Sequence, residues 1–175
     1  MKLTASAIVL AAALVSGCAT NDAVQPVRLA SATLQNGNGL PVGTAFVGGL
    51  GETLTLNVAA TGISAGPHGI HLHMVGDCTP PAFTSAGGHL NPGGHQHGTD
   101  NPAGAHLGDL PNIVADGNGV ATLTAVLRGT RAQIESALFD ADGTAVIIHA
   151  AADDYKTDPT GNSGARIVCG VLKRG

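Results

Sequence analysis

Thr53-Leu54-Thr55-Leu56-Asn57-Val58-Ala59-Ala60 is the stretch on which the fold class turns. Leu54, Leu56 and Val58 alternate with more polar neighbours. Side chains two apart on a strand share a face, so one face of this segment belongs in a core and the other in water. Neighbouring segments have the same character: Val27 to Leu34, Val42 to Val47, Gly69 to His73, Val120 to Leu127, Ala145 to His149 and Arg166 to Leu172. Turns rich in Gly, Asn and Asp separate them, notably Asn36-Gly37-Asn38-Gly39 and Asp116-Gly117-Asn118-Gly119. Short strands with such punctuation predict an all-β antiparallel sandwich or barrel. Thr130 to Asp140 has room for one helical turn.

One connection breaks the rhythm. Met74 to Pro111 is full of Gly, Pro, Asn and His and has no strand pattern. A connection of that length in a compact domain is either functional or disordered. Ala150 to Ala165 is a second, shorter irregular stretch.

The chain has 175 residues, enough for one domain with a sizeable core. Aromatics make up only 2% of it, so Val, Ile, Leu and Ala must build that core. Eight Lys and Arg against twelve Asp and Glu give a formal net charge of −4. No Lys or Arg lies between Arg28 and Arg128, which argues against nucleic acid as a partner, since that needs a basic face. Seven of the eight histidines, by contrast, fall between His68 and His106.

The N-terminus reads as a targeting segment. Lys2 is followed by an apolar run from Ala5 to Val15, too short for the ~20 residues of a bilayer-spanning helix. The run ends in Val15-Ser16-Gly17-Cys18, which resembles a bacterial lipoprotein signal. On that reading residues 1–17 are removed, Cys18 is acylated, residues 18–26 tether the protein to a membrane, and 27–175 form the domain. The expected location is the periplasm or cell envelope. An ordinary cleaved signal peptide is the alternative. With Cys18 carrying lipid, Cys78 and Cys169 remain as a pair that an oxidising compartment would let form a disulfide.

The histidines carry the chemistry. His71 and His73 lie two apart on a strand, so both imidazoles can reach one ion. The long loop offers His89, His97, His106 and Asp109; three imidazoles and a carboxylate suit tetrahedral zinc. His149 ends an apolar strand, where an unpaired imidazole is costly to bury.

At this point a family resemblance becomes specific. Gly69-Ile70-His71-Leu72-His73, Gly76-Asp77-Cys78, Ser85 to Pro92, His97-Gly98, His106 to Leu110, His149 with Ala152-Asp153-Asp154, Gly161 to Arg166 and Cys169-Gly170 are similar, in order, to the copper/zinc superoxide dismutases. The resemblance covers about Val27 to Lys173. It implies a Greek-key, immunoglobulin-like antiparallel barrel or sandwich with a long metal-binding loop. It implies copper on His71, His73, His89 and His149, and zinc on His89, His97, His106 and Asp109, with His89 bridging. Asp153 matches the carboxylate that orients one histidine of each set, here His71 and His97. The implied reaction is dismutation of superoxide, with His89 and Arg166 as the catalytic side chains and Arg166 guiding the anion. For Arg166 the bland alternative is a structural role, bonding loop carbonyls.

Two histidines fall outside the pattern. His68 opens a strand and reads as a surface or edge residue; His95 lies two residues before His97 and reads as a bystander. Met74, after the second copper ligand, reads as a packing residue. Lys156 is the only Lys or Arg between His149 and Arg166, a departure from the family pattern that bears on substrate steering and not on the metal site. The rival class is a copper or zinc store without turnover. Monomer and homodimer are both compatible with the sequence.

Overall fold

A computed structural model describes residues 26–175; the signal segment and Cys18 lie outside the described residues. Nine strands form the architecture: β1 (Val27–Asn36), β2 (Pro41–Leu50), β3 (Thr53–Ala60), β4 (Gly66–His68), β5 (Ile70–His73), β6 (Ile113–Ala115), β7 (Ala121–Val126), β8 (Thr144–His149) and β9 (Arg166–Arg174). Among the described residues a single α-helix, α1 (Arg131–Leu138), precedes β8. All neighbours are antiparallel, in the order β4-β6-β7-β3-β2-β1-β9-β8-β5. β4 and β5 sit at opposite ends of that order yet are separated in sequence only by Gly69. The segment 66–73 therefore spans the gap, and the sheet nearly closes into a barrel.

Local chemistry explains the hairpins. Asn36 Oδ1 accepts from the amides of Asn38 and Leu40, and Gly39 takes φ +76°. Asp116 Oδ1 does the same for Asn118 and Val120, with Gly119 also at +76°. Each acidic or amide side chain thus caps a turn whose closing glycine supplies the positive φ. Leu34, Val47, Leu54, Leu56, Val58, Ile70, Leu72, Val146 and Ile148 point inward and form one core. Each such side chain contributes roughly 1.5–3 kcal/mol by leaving water.

β4 and β6 were not legible in the sequence. Each is three residues long, too short to show alternation, and each is defined by pairing, β4 with β6 and β6 also with β7. The helix is eight residues rather than one turn. Thr130 and Gln133 form a reciprocal cap at its start, and Ile134 and Leu138, four apart, anchor it in the core.

Cys78 and Cys169 form a disulfide that ties the start of the long loop to β9. A second small core of Phe83, Ala86, Ala145 and Ile147 packs around Cys169. This packing seats the loop against the outer face of β8 and β9.

Candidate metal centre

β5 delivers its histidines from a fully buried strand: Ile70, His71, Leu72 and His73 are all inaccessible. The long loop returns to run beside it. Leu72 donates its amide to Gly108 O and accepts from Leu90 N, while Gly108 N donates to Leu90 O. Single bridges pair His71 with Asp109 and His73 with His89. Backbone pairing thus brings together side chains that lie up to 38 residues apart in the chain. On the other side, β8 pairs with β5 along its length and ends at His149.

The ring nitrogens sort into two sets. His71 donates from Nε2 to Asp153 Oδ2 at 2.6 Å, His73 from Nδ1 to Gly87 O at 3.0 Å, and His149 from Nδ1 to Gly164 O at 3.1 Å. Those bonds fix the tautomers and leave His71 Nδ1, His73 Nε2 and His149 Nε2 without partners, together with His89 Nε2. These four histidines present ligand atoms within 4.8 Å of one another. Four buried nitrogens with no hydrogen bond are costly unless something else binds them.

The second set surrounds Asp109. The Nδ1 atoms of His89, His97 and His106 lie 3.1, 3.0 and 3.1 Å from Asp109 Oδ1, and His106 Nδ1 is 3.3 Å from His89 Nδ1. Asp109 Oδ2 accepts from the amides of Gly98 and His106, which aims Oδ1 at the three rings. A compact group with His71 in place of His106 also exists. His106 is the better fourth member, because His71 commits Nε2 to Asp153 and turns Nδ1 towards the first set. His89 alone has one nitrogen in each set.

Three imidazoles around one carboxylate match the donor set of tetrahedral zinc. An all-imidazole cluster suits copper. The residues present fit both metals, and the partnerless nitrogens are what a metal would satisfy.

Asp153 links the sets. Its Oδ1 accepts from His97 Nε2 at 3.0 Å and from Tyr155 N at 2.7 Å, while Oδ2 holds His71. Asn112 grips its backbone on both sides, accepting from Asp153 N and donating to Asp153 O, and Tyr155 Oη accepts from Asn112 N. Gly161, at φ +63°, passes so close that a Cβ there would collide with Asp153 Oδ1 and His97 Nε2.

Burial decides most protonation states. Desolvation, with neighbouring histidine charges, lowers His73 to about 2, and burial lowers His149 to about 3. Desolvation also lowers His89 to about 4, against the opposing hydrogen bond from Asp109. The Arg166 charge adds to the depression at His73 and His149. His97 goes the other way: burial opposes its charge, but its hydrogen bonds to Asp109 and Asp153 together win and raise it to about 9. Asp109 and Asp153 are held well below the usual carboxylate range; desolvation pushes them up and their histidine partners outweigh it.

Arg166 opens β9 opposite His149. Its Nη1 donates to Phe83 O at 2.7 Å and Nη2 to Gly87 O at 2.6 Å. A guanidinium has five N–H donors, so three remain.

Other placements differ from the sequence reading. His68 is buried, not at the surface. Its ring lies between the carbonyl oxygens of His149, at 2.7 Å from Nδ1, and Ser64, at 2.8 Å from Nε2. It pins the end of β8 across the barrel seam. Met74 is 47% exposed and lies over Gly87 rather than in a core. His95, by contrast, is exposed and belongs to neither set, as the sequence reading has it. Asn112, Tyr155 and the buried role of His68 escaped the sequence reading; Tyr155, the chain's single tyrosine, was the one visible signal.

Comparison with known proteins agrees with this geometry. Residues 42–172 match the family model described as copper/zinc superoxide dismutase. A relative named "Superoxide dismutase [Cu-Zn]" from Caulobacter vibrioides is 39% identical over 150 residues, covering 82% of this chain and 85% of that protein. "Superoxide dismutase [Cu-Zn] 2" from Aquifex aeolicus is 47% identical over 106 residues, covering 59% of this chain. The chain spans only 61–63% of the length of three of its curated relatives. The crystal structure of a SOD-like protein from Bacillus subtilis superposes with TM-score 0.75 at 37% identity, covering 84% of this chain and all of that one. With three quarters of its length matched, the chain belongs to the copper/zinc superoxide dismutase family.

Proposed function

We propose that this protein is a superoxide dismutase exported to the cell envelope, held there by a lipid on Cys18, and protecting it from oxidative damage. Two superoxide anions and two protons become one O2 and one H2O2. The observation that carries this reading is the convergence of four buried, partnerless ring nitrogens beside a half-buried Arg166. His71, His73, His89 and His149 hold copper; His89, His97, His106 and Asp109 hold zinc. When bound, copper supplies one-electron redox chemistry and zinc a positive charge of fixed oxidation state.

The chain's own residues do the rest. His73 and His149 stay neutral at physiological pH, so they offer lone pairs rather than protons. His89 Nε2, in the copper set, is where a proton can be held between the two half-reactions. Asp153 fixes His71 and His97 against one another, so both sets keep their geometry when the charge at one of them changes. Arg166 keeps its charge at any relevant pH, and its three remaining N–H donors meet the anion.

The rival is a metal store, and one observation favours it: the Arg166 guanidinium already spans two loop carbonyls, a structural task. A relative of this chain bears the name superoxide dismutase-like, so membership alone does not fix turnover. Decay of superoxide followed with the metal-loaded protein, alongside metal analysis, separates the readings. Turnover near the diffusional range that such enzymes reach supports the dismutase; full metal without turnover supports the store. Cys18→Ser, followed by membrane fractionation, tests the anchor: release from membranes supports it, and an unchanged distribution overturns it.

A further inference from the structure

The set around Asp109 is enclosed on most sides. The side chains of His89, His97 and Asp109 are at most 2% exposed, and His106, at 6%, is the member with an edge in solvent. That edge forms part of the wall of a cavity of about 760 Å³. Pro92 to Leu107 of the long loop makes one side of the cavity and α1, with Arg128 before it, makes the other. The charged side chains facing it are Arg128 and Asp140, one of each sign, so the cavity as a whole does not repel a dication. His106 Nε2 makes no hydrogen bond among the described residues, and Asp158 Oδ1 lies 4.0 Å from it.

A second imidazole, His95, lines the same cavity. Asn91 fixes its backbone from both sides, with Oδ1 accepting from His95 N at 3.0 Å and Nδ2 donating to His95 O at 2.8 Å. Its ring lies against Gly93, where a Cβ would stand 2.7 Å from Cδ2 and 2.8 Å from Nε2. Only a residue without a side chain at 93 leaves the ring that place. Among the described residues nothing hydrogen-bonds to the ring, so the acceptor nitrogen of a neutral imidazole is open to a cation there. His95 is two residues from His97, which puts their Cα atoms within about 7 Å of one another.

We propose that this cavity is the route by which zinc enters and leaves, and that His95 is a transient ligand that takes the ion from solvent and passes it to the set behind His106. The proposal rests on the zinc set described above. Each step exchanges one ligand for another: His95 replaces a water, and a donor of the set then replaces His95. Zinc binds imidazole well and its filled d shell imposes no geometry, so such an exchange meets no preferred shape that it must break. A helper that binds the ion only in transit lowers the barrier equally in both directions. It therefore speeds uptake and release by one factor and leaves the affinity unchanged, whereas a resident ligand changes the affinity itself.

Release of zinc from the metal-loaded protein into excess chromophoric chelator, and uptake of zinc by the same protein after chelation, test this. His95→Ala slows both about tenfold, because it removes a ligand that holds the ion beside the set at roughly millimolar effective concentration. Affinity from chelator competition stays at the wild-type value. Ala132→Trp, at an exposed position of α1 on the far wall, fills the cavity and slows both rates with His95 intact. Unchanged rates in His95→Ala overturn the proposal. So does faster release with weakened affinity, which would make His95 a resident ligand or a structural support. An Ala132→Trp variant that exchanges zinc as wild type does removes the cavity as the route. A wild type that takes up no zinc overturns the zinc assignment itself and the route with it. Zinc is read, not superoxide, so the other outcomes leave the dismutase reading where it stands.

Discussion

His149 and Arg166 face one another across the β8–β9 ladder, at the point where the register slips after Ile148. The slip lets His149 turn Nδ1 to the Gly164 carbonyl and leave Nε2 partnerless, while Arg166 reaches back to Phe83 and Gly87. The same Gly87 carbonyl accepts from His73 Nδ1. One loop carbonyl therefore couples the cation to a member of the copper set.

Arg166→Ala is expected to retain both metals and lower the second-order rate about tenfold, within the range that electrostatic focusing supplies. Arg166→Glu lowers it further. Wild-type rate falls with salt, since the attraction is screened over ~10 Å at 0.1 M. The slope is shallower in Arg166→Ala. Stopped-flow decay of superoxide across ionic strengths checks this; a variant matching wild type in rate and slope leaves Arg166 with only its carbonyl bonds.

The two sets are expected to separate by mutation. His149→Ala removes a nitrogen from one set only, so copper and activity fall while zinc is retained. Asp109→Ala removes the carboxylate that three Nδ1 atoms share, so zinc is lost and the 74–112 loop loosens. Metal analysis with limited proteolysis reads both. Undiminished copper in the His149 variant would sink the assignment.

Asp153→Ala leaves His71 Nε2 and His97 Nε2 buried without acceptors. Each orphaned group costs about 1–3 kcal/mol, and loss of such an orienting partner weakens metal affinity about 10–100-fold. Asp153→Asn keeps the shape and one acceptor oxygen, so it restores part of the loss. Competition titration with a chelator is the measurement; equal affinity in wild type and Asp153→Ala refutes the orienting role.

Without metal, stability should depend on pH in two windows. His73, His89 and His149 have folded values of about 2, 4 and 3, below the unfolded 6.5. The unfolded chain binds more protons there, so stability present above pH ~6.5 is lost as pH falls through the acid range. His97, raised to about 9, does the opposite: its stabilisation is present below pH ~6.5 and lost as pH rises towards 9. Denaturant titrations of the chelated protein should peak near neutrality. Rising stability from pH 6 to pH 4 would contradict the buried, neutral state of the first three rings.

The strands that alternate over six or more residues, Thr53–Ala60 above all, announced themselves, because a period of two is a local property that burial of one face imposes. The class of fold and a helical turn within Thr130 to Asp140 were legible in that local sense, the family motif by resemblance, and the Cys78–Cys169 pair by counting cysteines, not by local pattern. Asp153 was legible as a type of residue in a motif. Its link to His71 and His97, 82 and 56 residues away, was implied by the family resemblance alone and not by local pattern; physically it is made where two loops meet. His68, read as a surface or edge residue, does lie on edge strand β4 but is buried, and nothing near it in sequence tells that β8 ends against its ring. β4 exists only by pairing with β6, and β6 only by pairing with β4 and β7, while Arg166 became bonded to Phe83 and Gly87 only once the disulfide loop was seated on β9. Period and turn chemistry act within a few residues and can be read along the chain. Which ring faces which carbonyl depends on closing the barrel, and that is a property of contacts between segments far apart.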